Sequence, residues 1–528
     1  MTENGFWYSH LEARARKEAE IIVDAFGERG IDIGGETDWA EDDRDLRPGG
    51  IAFMYDRDHI LTREQYLGGA GGIRGPKRPE DASKLRGVLD VLQHDDRAPE
   101  IEAIRVVRDV VLLCLKPRRH KHTPGHDYGD ERGGEHADVF NLLRLIDDEL
   151  GEGIATLDHV LTAAQVLHPC SATEPEPPYP TAGPYPAVCR DGGARVRIFQ
   201  ADTGLVEGAA ETFPWLAGVH GDPDPRESGG TIQPYGGHGT FVAGVLRAMA
   251  PEARVHVANI FDIAGSARDS DVAMRLKAAF GFGFEIIHIT ASCLTWKNTP
   301  PPCLEGWLEL LRSYKDVICV AEAGNNYSRR PAWPAAFPDV LSVGALATDW
   351  RHRADFSNYG SWVDVYAPGE NLINAIGSGT YTYQNQPTPP ATFSGLAQWS
   401  GTSFSAPIVT GMIAARMTRC GESAREAAAA LLAKARSQAI PGVGPVLFPE
   451  CHGGEERCGG GCGCGCGRCG HGEGHSSGRC GCGQGGHGEG HSGGRCGCGR
   501  CGHGEGYGGG LWPWVARACD VLSGGSRH

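Results

Sequence analysis

Gly401-Thr402-Ser403-Phe404-Ser405-Ala406-Pro407 is the stretch on which the reading of this chain turns. A tight run of small residues ends in Ser403, and apolar residues follow at once in Ile408, Val409, Met412, Ile413 and Ala414. That spacing predicts a buried helix whose first turn begins at the serine. Pro407 is expected in that first turn, where no backbone N–H is required. Unpaired N–H groups and the positive dipole end make a helix start favourable for a developing negative charge. Ser403 is thus placed as a nucleophile would be, although Gly-Thr-Ser turns also serve purely structural ends.

Working outward, apolar strands alternate with helices. Strands are expected at 195–201, 253–260, 285–290, 316–323 and 339–346, and helices at 238–249, 268–281, 304–314, 403–418 and 422–435. This alternation indicates a parallel sheet covered on both faces, with ligands bound beyond the carboxyl ends of its strands. Three polar residues fall at such ends or at helix starts. Asp202 follows the strand RVRIFQA, His238 opens a helix in GHGTFVAG, and Asn325 follows VICVAEA. Acyl transfer needs these types together. A serine hydroxyl needs a base, and histidine serves near neutral pH. A carboxylate fixes the imidazole tautomer, and a side-chain amide donates to the oxyanion.

These stretches resemble those of the subtilisin-like serine proteases (subtilases, peptidase S8) over roughly residues 190–435. DTG at Asp202, HGTFVAG at His238, AGN at Asn325 and GTSFSAP at Ser403 stand in that family's order. WPAAFPDVLSVGA from Trp333 and FSNYGSWVDVYAPG from Phe356 are similar to family sequences as well. The resemblance implies an α/β fold with a subtilisin-like parallel sheet and helices on both faces. It implies endopeptidase activity through an acyl-enzyme on protein or peptide substrates, with no cofactor required for catalysis and calcium left open. Ser403 would be the nucleophile, His238 the base and acid, and Asp202 the orienting carboxylate. Asn325 and the Ser403 N–H would form the oxyanion hole. Ser405 is the competing serine, disfavoured because Ser403 directly follows Gly-Thr.

Thr290, Ala291, Ser292, Glu322 and Gly324 are the candidate substrate-binding residues. The strand ending Thr290-Ala291-Ser292 departs from the family's Ser-Leu-Gly-like run, yet its backbone can pair with an extended peptide. Glu322 stands where the family has a small residue on the wall of the first specificity pocket. It would favour a basic side chain at the cleaved position, or else pair with a local arginine such as Arg329. His288 reads as a satisfied core histidine.

Residues 1–169 read as a smaller α+β domain. A helix is expected at 8–26, then a loop at 27–50, a strand or hairpin at 51–61 and a helix at 81–93. One buried strand at 103–115, a helix at 138–150 and a strand at 155–165 follow. The polar loop holding His120, His122, His126 and His136 reads as solvated rather than as a metal site. The Pro-rich stretch 170–189 is a stiff linker between this unit and the catalytic domain at 190–440. By the family resemblance, the N-terminal unit is an inhibitory propeptide with this linker as its processing point, or else an unrelated accessory domain.

Residues 441–528 form a Gly/Cys/His-rich tail. GHGEGHSSGRCGCG at 470–483 recurs at 486–499, a period of 16. So few apolar residues leave it expected to be disordered without a ligand. Cys464, Cys466, Cys469, His471, Cys496, Cys498, Cys501 and His503 have spacings suited to Zn²⁺ or Cu⁺. A flexible spacer is the alternative. The net charge of -16 argues against a nucleic-acid partner. No 18-residue apolar run argues for a membrane span. The charged first 25 residues lack a signal-peptide core, so a cytoplasmic location is expected, with nonclassical export left open. Scattered cysteines in such a chain are expected to be free.

Overall fold

The apolar strands between residues 197 and 368 assemble into one seven-stranded sheet. Its order from one edge is Val365–Pro368, Val340–Leu346, Ile318–Glu322, Ile286–Ile289, Arg197–Asp202, Arg254–Asn259 and His220–Gly221. Every neighbouring pair is parallel. This computed structural model describes residues 19–20, 22–24, 26, 31–35, 51–68, 87–92, 99–116, 138–163, 174–262, 264–383 and 388–449. The chain leaves Arg197–Asp202 toward one edge and later returns on its other side, so this strand is the topological switch point. The carboxyl ends of Arg197–Asp202, Ile286–Ile289 and Ile318–Glu322 lie in register, which gathers Asp202, Thr290 and Glu322 in one place.

Side-chain alternation along these strands feeds two cores. Ile198, Ile286 and Val320 face one, while Phe199, Ile287 and Cys319 face the other. The first core lies under the helices His238–Met249 and Thr402–Cys420. Gly411 permits their close crossing, because a Cβ there would meet the Leu246 carbonyl oxygen at 2.6 Å. The second core lies under the helices Asp269–Leu276 and Pro302–Leu311, with Trp307 fully buried. Both layers agree with the α/β arrangement expected. Pro407 differs. It is the sixth residue of its helix, in the second turn, where it cannot donate to the Ser403 carbonyl. The hairpin of Leu372–Tyr381 and Ala391–Trp399 was not foreseen, because its short Gly-interrupted runs carry no strong period.

The N-terminal unit is an antiparallel sheet ordered Ala155–Thr162, Ile51–Arg63, Val110–Lys116 and Glu100–Val107. Ile31–Gly35 pairs beside Ile51–Arg63. The single strand expected at 103–115 is a hairpin, turned at Arg108 with φ 50° and Asp109. A charged pair inside a long apolar run was the only local sign of that turn. Ala19, Ile22 and Phe26 are helical and buried, and the rest of the helix expected at 8–26 lies mostly outside the described residues. So do the loop 117–136 and residues 450–528 of the tail, including Cys464, Cys466, Cys469, His471, Cys496, Cys498, Cys501 and His503, whereas 441–449, expected in the disordered tail, are ordered with Val446 and Leu447 buried. Among the described residues no cluster of three or more His, Cys, Asp or Glu is placed to hold a metal. No helix among them is long and apolar enough to cross a membrane.

Two expectations are corrected. Cys189 and Cys420 are disulfide-bonded rather than free, whereas Cys114, Cys293, Cys303 and Cys319 carry thiols. The described part of the Pro-rich stretch, residues 174–189, is docked rather than a free spacer. Glu176 bridges Gln398 and Tyr185 bridges Ile373, and Tyr381 donates to Glu174 at 2.9 Å.

The N-terminal sheet packs on the second helical layer. Leu61, Val107, Val110 and Leu161 join the core that holds Val272, Leu304 and Trp307. Gly306 lets them approach, since a Cβ there would lie 3.2 Å from Val107. Polar contacts frame the seam. Arg63 pairs with Glu305 at 2.6 Å, and Arg268 with Asp56 at 2.6 Å. Asp158 accepts from Ser270 N at 3.1 Å and Ser270 Oγ at 2.5 Å, capping the Asp269–Leu276 helix.

Burial pushes the Asp158 carboxyl from 3.8 up to about 7, with Asp56 and Asp271 adding and Ser270 and Arg268 opposing. Asp269, buried beside it, is raised too. A raised carboxyl contributes stability that is fully present below its unfolded value and lost as pH rises through the folded value. A shift of this size is worth on the order of 4 kcal/mol at most. The thermal midpoint of the Ser403→Ala chain is therefore expected to fall by several degrees between pH 4 and pH 7. In Asp158→Asn much of that slope disappears. Equal slopes in the two proteins would show that Asp158 does not titrate at the seam.

Candidate active site

Asp202 ends its strand fully buried and accepts four donors. His238 Nδ1 reaches Oδ1 at 2.7 Å, and Thr203 N reaches the same oxygen at 2.7 Å. Gln200 Nε2 reaches Oδ2 at 3.2 Å, and the Thr290 hydroxyl donates to it closely. Burial opposes ionisation of Asp202, but His238 and these donors outweigh it and hold the carboxyl below its usual range. The same pairing works on His238 in reverse. Burial lowers its pKa, yet Asp202, with Glu322 and Asp224 beyond, raises it above the ordinary imidazole value. An ionised carboxylate only accepts, so Nδ1 carries the proton and Nε2 is left as a base. Nε2 is buried and has no partner among the described residues.

Thr290 belongs to the strand whose backbone is expected to pair with a peptide, and its hydroxyl donates to the Asp202 carboxylate. Its side chain acts through the acid. Gln200 and Thr203 were not anticipated as supports. Gln200 is a buried amide in the middle of an apolar strand, and that is the local signal that could have found it. His288 donates to or accepts from Thr410 Oγ1 at 2.9 Å and is pushed down to about 4 by burial, as suits a core histidine.

Gly324, with φ +90°, turns the chain after Ile318–Glu322. A Cβ there would lie 2.5 Å from Asn358 Nδ2, so only glycine fits. The turn presents Asn325, whose Oδ1 accepts from Thr402 N at 2.8 Å and Thr402 Oγ1 at 2.9 Å. The Thr402 N–H fixes the carbonyl end of the amide, and the one proton of the Thr402 hydroxyl is shared between Glu322 Oε2 and this oxygen of Asn325. Its Nδ2 is buried with no partner among the described residues. Ser403 is the second residue of its helix, where a backbone N–H has no intrahelical acceptor. Two donors thus stand ready for a developing oxyanion. Asn325→Ala is expected to lower kcat about 10²–10³-fold with little change in KM, measured by steady-state peptide hydrolysis. Loss confined to KM would remove this role.

Ser403 Oγ donates to Glu322 Oε2 at 2.6 Å. Glu322 is fully buried and also receives Thr402 Oγ1 at 3.0 Å and Ser292 Oγ at 3.2 Å. Burial pushes its carboxyl up to about 7, although these three hydroxyls and the His238 imidazole favour the charged form. Arg329, the alternative partner, instead lies over the Tyr359 ring at 5.8 Å. Ser405 donates to the Thr402 carbonyl inside the first turn at 3.0 Å.

The cleft is filled by the N-terminal unit. Thr162, Leu161 and Val160 pair antiparallel with Ser266, Ala267 and Arg268. On the other side Thr162 and Ser292 exchange backbone hydrogen bonds, both at 3.1 Å. Ala163 N donates to Gly265 O at 2.8 Å, and the Ala163 carbonyl oxygen lies 3.3 Å from Ser403 Oγ. The backbone around Ala291-Ser292 therefore pairs with an extended segment, and that segment belongs to this chain. Ala163 was not expected here, because nothing local marks it.

Residues 202–459 match the family model described as the subtilase family. The thermophilic serine proteinase of Bacillus sp. (strain AK1) is 32% identical over 209 residues, which are 37% of this chain and 44% of that protein. The M-protease of Shouchella clausii (strain KSM-K16) is 27% identical over 238 residues, or 42% of this chain and 54% of that one. The chain thus spans about half the length of these relatives. The solved patellamide maturation protease PatA is 30% identical and covers 48% of this chain and 89% of its own, with a TM-score of 0.38. That superposition is loose, and the fold assignment rests on the parallel sheet and its switch point. With acid, base, amide and nucleophile in the family's order on that sheet, the segment 202–459 belongs to the subtilase family.

Proposed function

We propose that the protein is a serine endopeptidase that hydrolyses peptide bonds through an acyl-enzyme, and that its own N-terminal unit inhibits it. The observation that carries this reading is the Ala163 carbonyl oxygen, 3.3 Å from Ser403 Oγ at the end of a backbone-paired strand. A peptide bond already lies at the nucleophile. In catalysis Ser403 Oγ attacks the carbonyl carbon and its proton passes to His238 Nε2. Asp202 steadies the resulting imidazolium through Nδ1. Asn325 Nδ2 and the Ser403 N–H take the oxyanion. His238 then protonates the leaving amine, and water repeats the sequence on the ester.

In this reading the processing point is the bond between Ala163 and Ala164, upstream of the Pro-rich stretch rather than within it. The full-length protein is incubated beside Ser403→Ala, and products are identified by intact mass and N-terminal sequence. A product beginning at residue 164, formed only with Ser403 present, is the expected result. Casein in the same tubes reports hydrolysis in trans. A protein that neither cuts itself or casein nor reacts with a fluorophosphonate is a peptide-binding relative that does not turn over.

A further inference from the structure

The Ser403 hydroxyl has one proton and more than one acceptor. Glu322 Oε2 holds it at 2.6 Å, the Ala163 carbonyl lies farther off at 3.3 Å, and His238 Nε2 has no partner among the described residues. A contact of 2.6 Å from a hydroxyl to a carboxylate is in the range of strong, charge-assisted hydrogen bonds. We propose that Glu322 is a latch on the nucleophile, holding the Ser403 proton away from His238 so that the strand ending at Ala163 rests in the cleft and is cut only slowly.

The latch is built in rather than incidental. Glu322 ends the Ile318–Glu322 strand fully buried, with Ser292 Oγ on one of its oxygens at 3.2 Å and Thr402 Oγ1 on the other at 3.0 Å. Ser292 is also the residue whose backbone pairs with Thr162, so the latch and the occupied cleft share one support. Glu322 is poorly placed to serve as the base itself. A proton taken there would sit among three hydroxyls in a closed wall, whereas the leaving amine must be protonated by the group that took the proton. His238, with Nδ1 anchored on Asp202 and Nε2 without a partner among the described residues, is equipped for both transfers. Turnover then requires the hydroxyl to exchange Glu322 Oε2 for His238 Nε2, and the carboxylate opposes that exchange. Apart from hydroxyls, the titratable group facing Glu322 among the described residues is His238, from the helix His238–Met249.

This inference rests on the endopeptidase reading, and its test separates the two. Full-length wild type, Glu322→Gln and Glu322→Ala are treated with a small fluorophosphonate, and the rate of Ser403 modification is followed by intact mass. Formation of the product beginning at residue 164 is followed in parallel without reagent, and thermal midpoints confirm folding. Glutamine keeps the size and an acceptor oxygen but not the charge. Losing a charge-assisted hydrogen bond of the ground state is expected to raise both rates about 10-fold or more at pH 8 in each variant. At pH 6 the wild-type carboxyl is largely protonated, and the ratio of variant to wild type shrinks toward one. A purely structural Glu322 would not move that ratio with pH. Variants that fold but react at the wild-type rate or slower at pH 8 overturn the latch and leave the endopeptidase reading standing. Absence of labelling in all three proteins overturns both.

Discussion

Replacing His238 with alanine is expected to lower hydrolysis of casein and of the 163–164 bond about 10⁶-fold, and adding Ser403→Ala should cost nothing further. The magnitude is carried over from a member of the same family, in which the triad acts as a unit. The geometry here supplies the reason. Nε2 of His238 is a buried base with no partner among the described residues, and its ring packs against Trp399 and Phe404 at centroid distances of 5.4 and 5.3 Å. Without it the Ser403 proton has no acceptor that can return it to the leaving amine. Glu322 accepts a hydrogen bond from Ser403 in the ground state and offers its proton no route onward. A loss below about 10²-fold would mean that Glu322 replaces the histidine as base. The pH profile carries a second expectation. His238 must be neutral to act, and its pKa lies above 6.5. Activity should therefore fall, as pH is lowered, at a higher pH than a free imidazole would dictate, as read from kcat/KM between pH 5 and 9.

How far the chain could be read before its fold was known follows from where each signal lies. Asp202, His238, Asn325 and Ser403 sit at strand ends or helix starts, and each carries its signature within a few neighbours. The parallel sheet was legible for the same reason, since buried strands and helices write their period locally. The contacts that hold and occupy the site are not local. Ala163 and Ser403 are 240 residues apart, and Glu322 and Ser403 are 81 apart. Nothing near Thr290 shows that its hydroxyl turns toward Asp202 rather than toward a substrate. Ala163 has an apolar, featureless neighbourhood, and only the pairing of Thr162 with both Ser266 and Ser292 brings it to the nucleophile. The hairpin at 100–116 was hidden by a different mechanism. Val106-Val107 before the turn and Val110 to Leu113 after it are apolar, so across Arg108-Asp109 two strands read like one long strand.

Asp202→Asn is expected to lower kcat about 10⁴-fold while leaving the fold in place, a loss of the size seen when a triad carboxylate becomes an amide. The four donors on Asp202 explain why the amide fits badly in either orientation. If its nitrogen takes the Oδ1 place, it faces the fixed Thr203 N–H and must donate to His238 Nδ1. The imidazole proton then moves to Nε2, and the base is lost. If the nitrogen takes the Oδ2 place, it opposes Gln200 Nε2, which cannot turn away because it also donates to Gly239 O at 2.8 Å. The Thr290 hydroxyl can rotate toward the Ala201 carbonyl, 3.1 Å away, so that side yields more easily. Even then His238 keeps its tautomer but loses the negative charge that stabilises the imidazolium. The two orientations are separated by pH. The first predicts a base that is missing at every pH, with recovery only where hydroxide replaces it. The second predicts a residual activity whose acid limb moves to lower pH, because the imidazolium has lost its carboxylate. Steady-state rates of Asp202→Asn between pH 5 and 10, with thermal midpoints as the folding control, distinguish them. A loss under tenfold across that range would show that Thr290, Gln200 and Thr203 orient His238 without the charge.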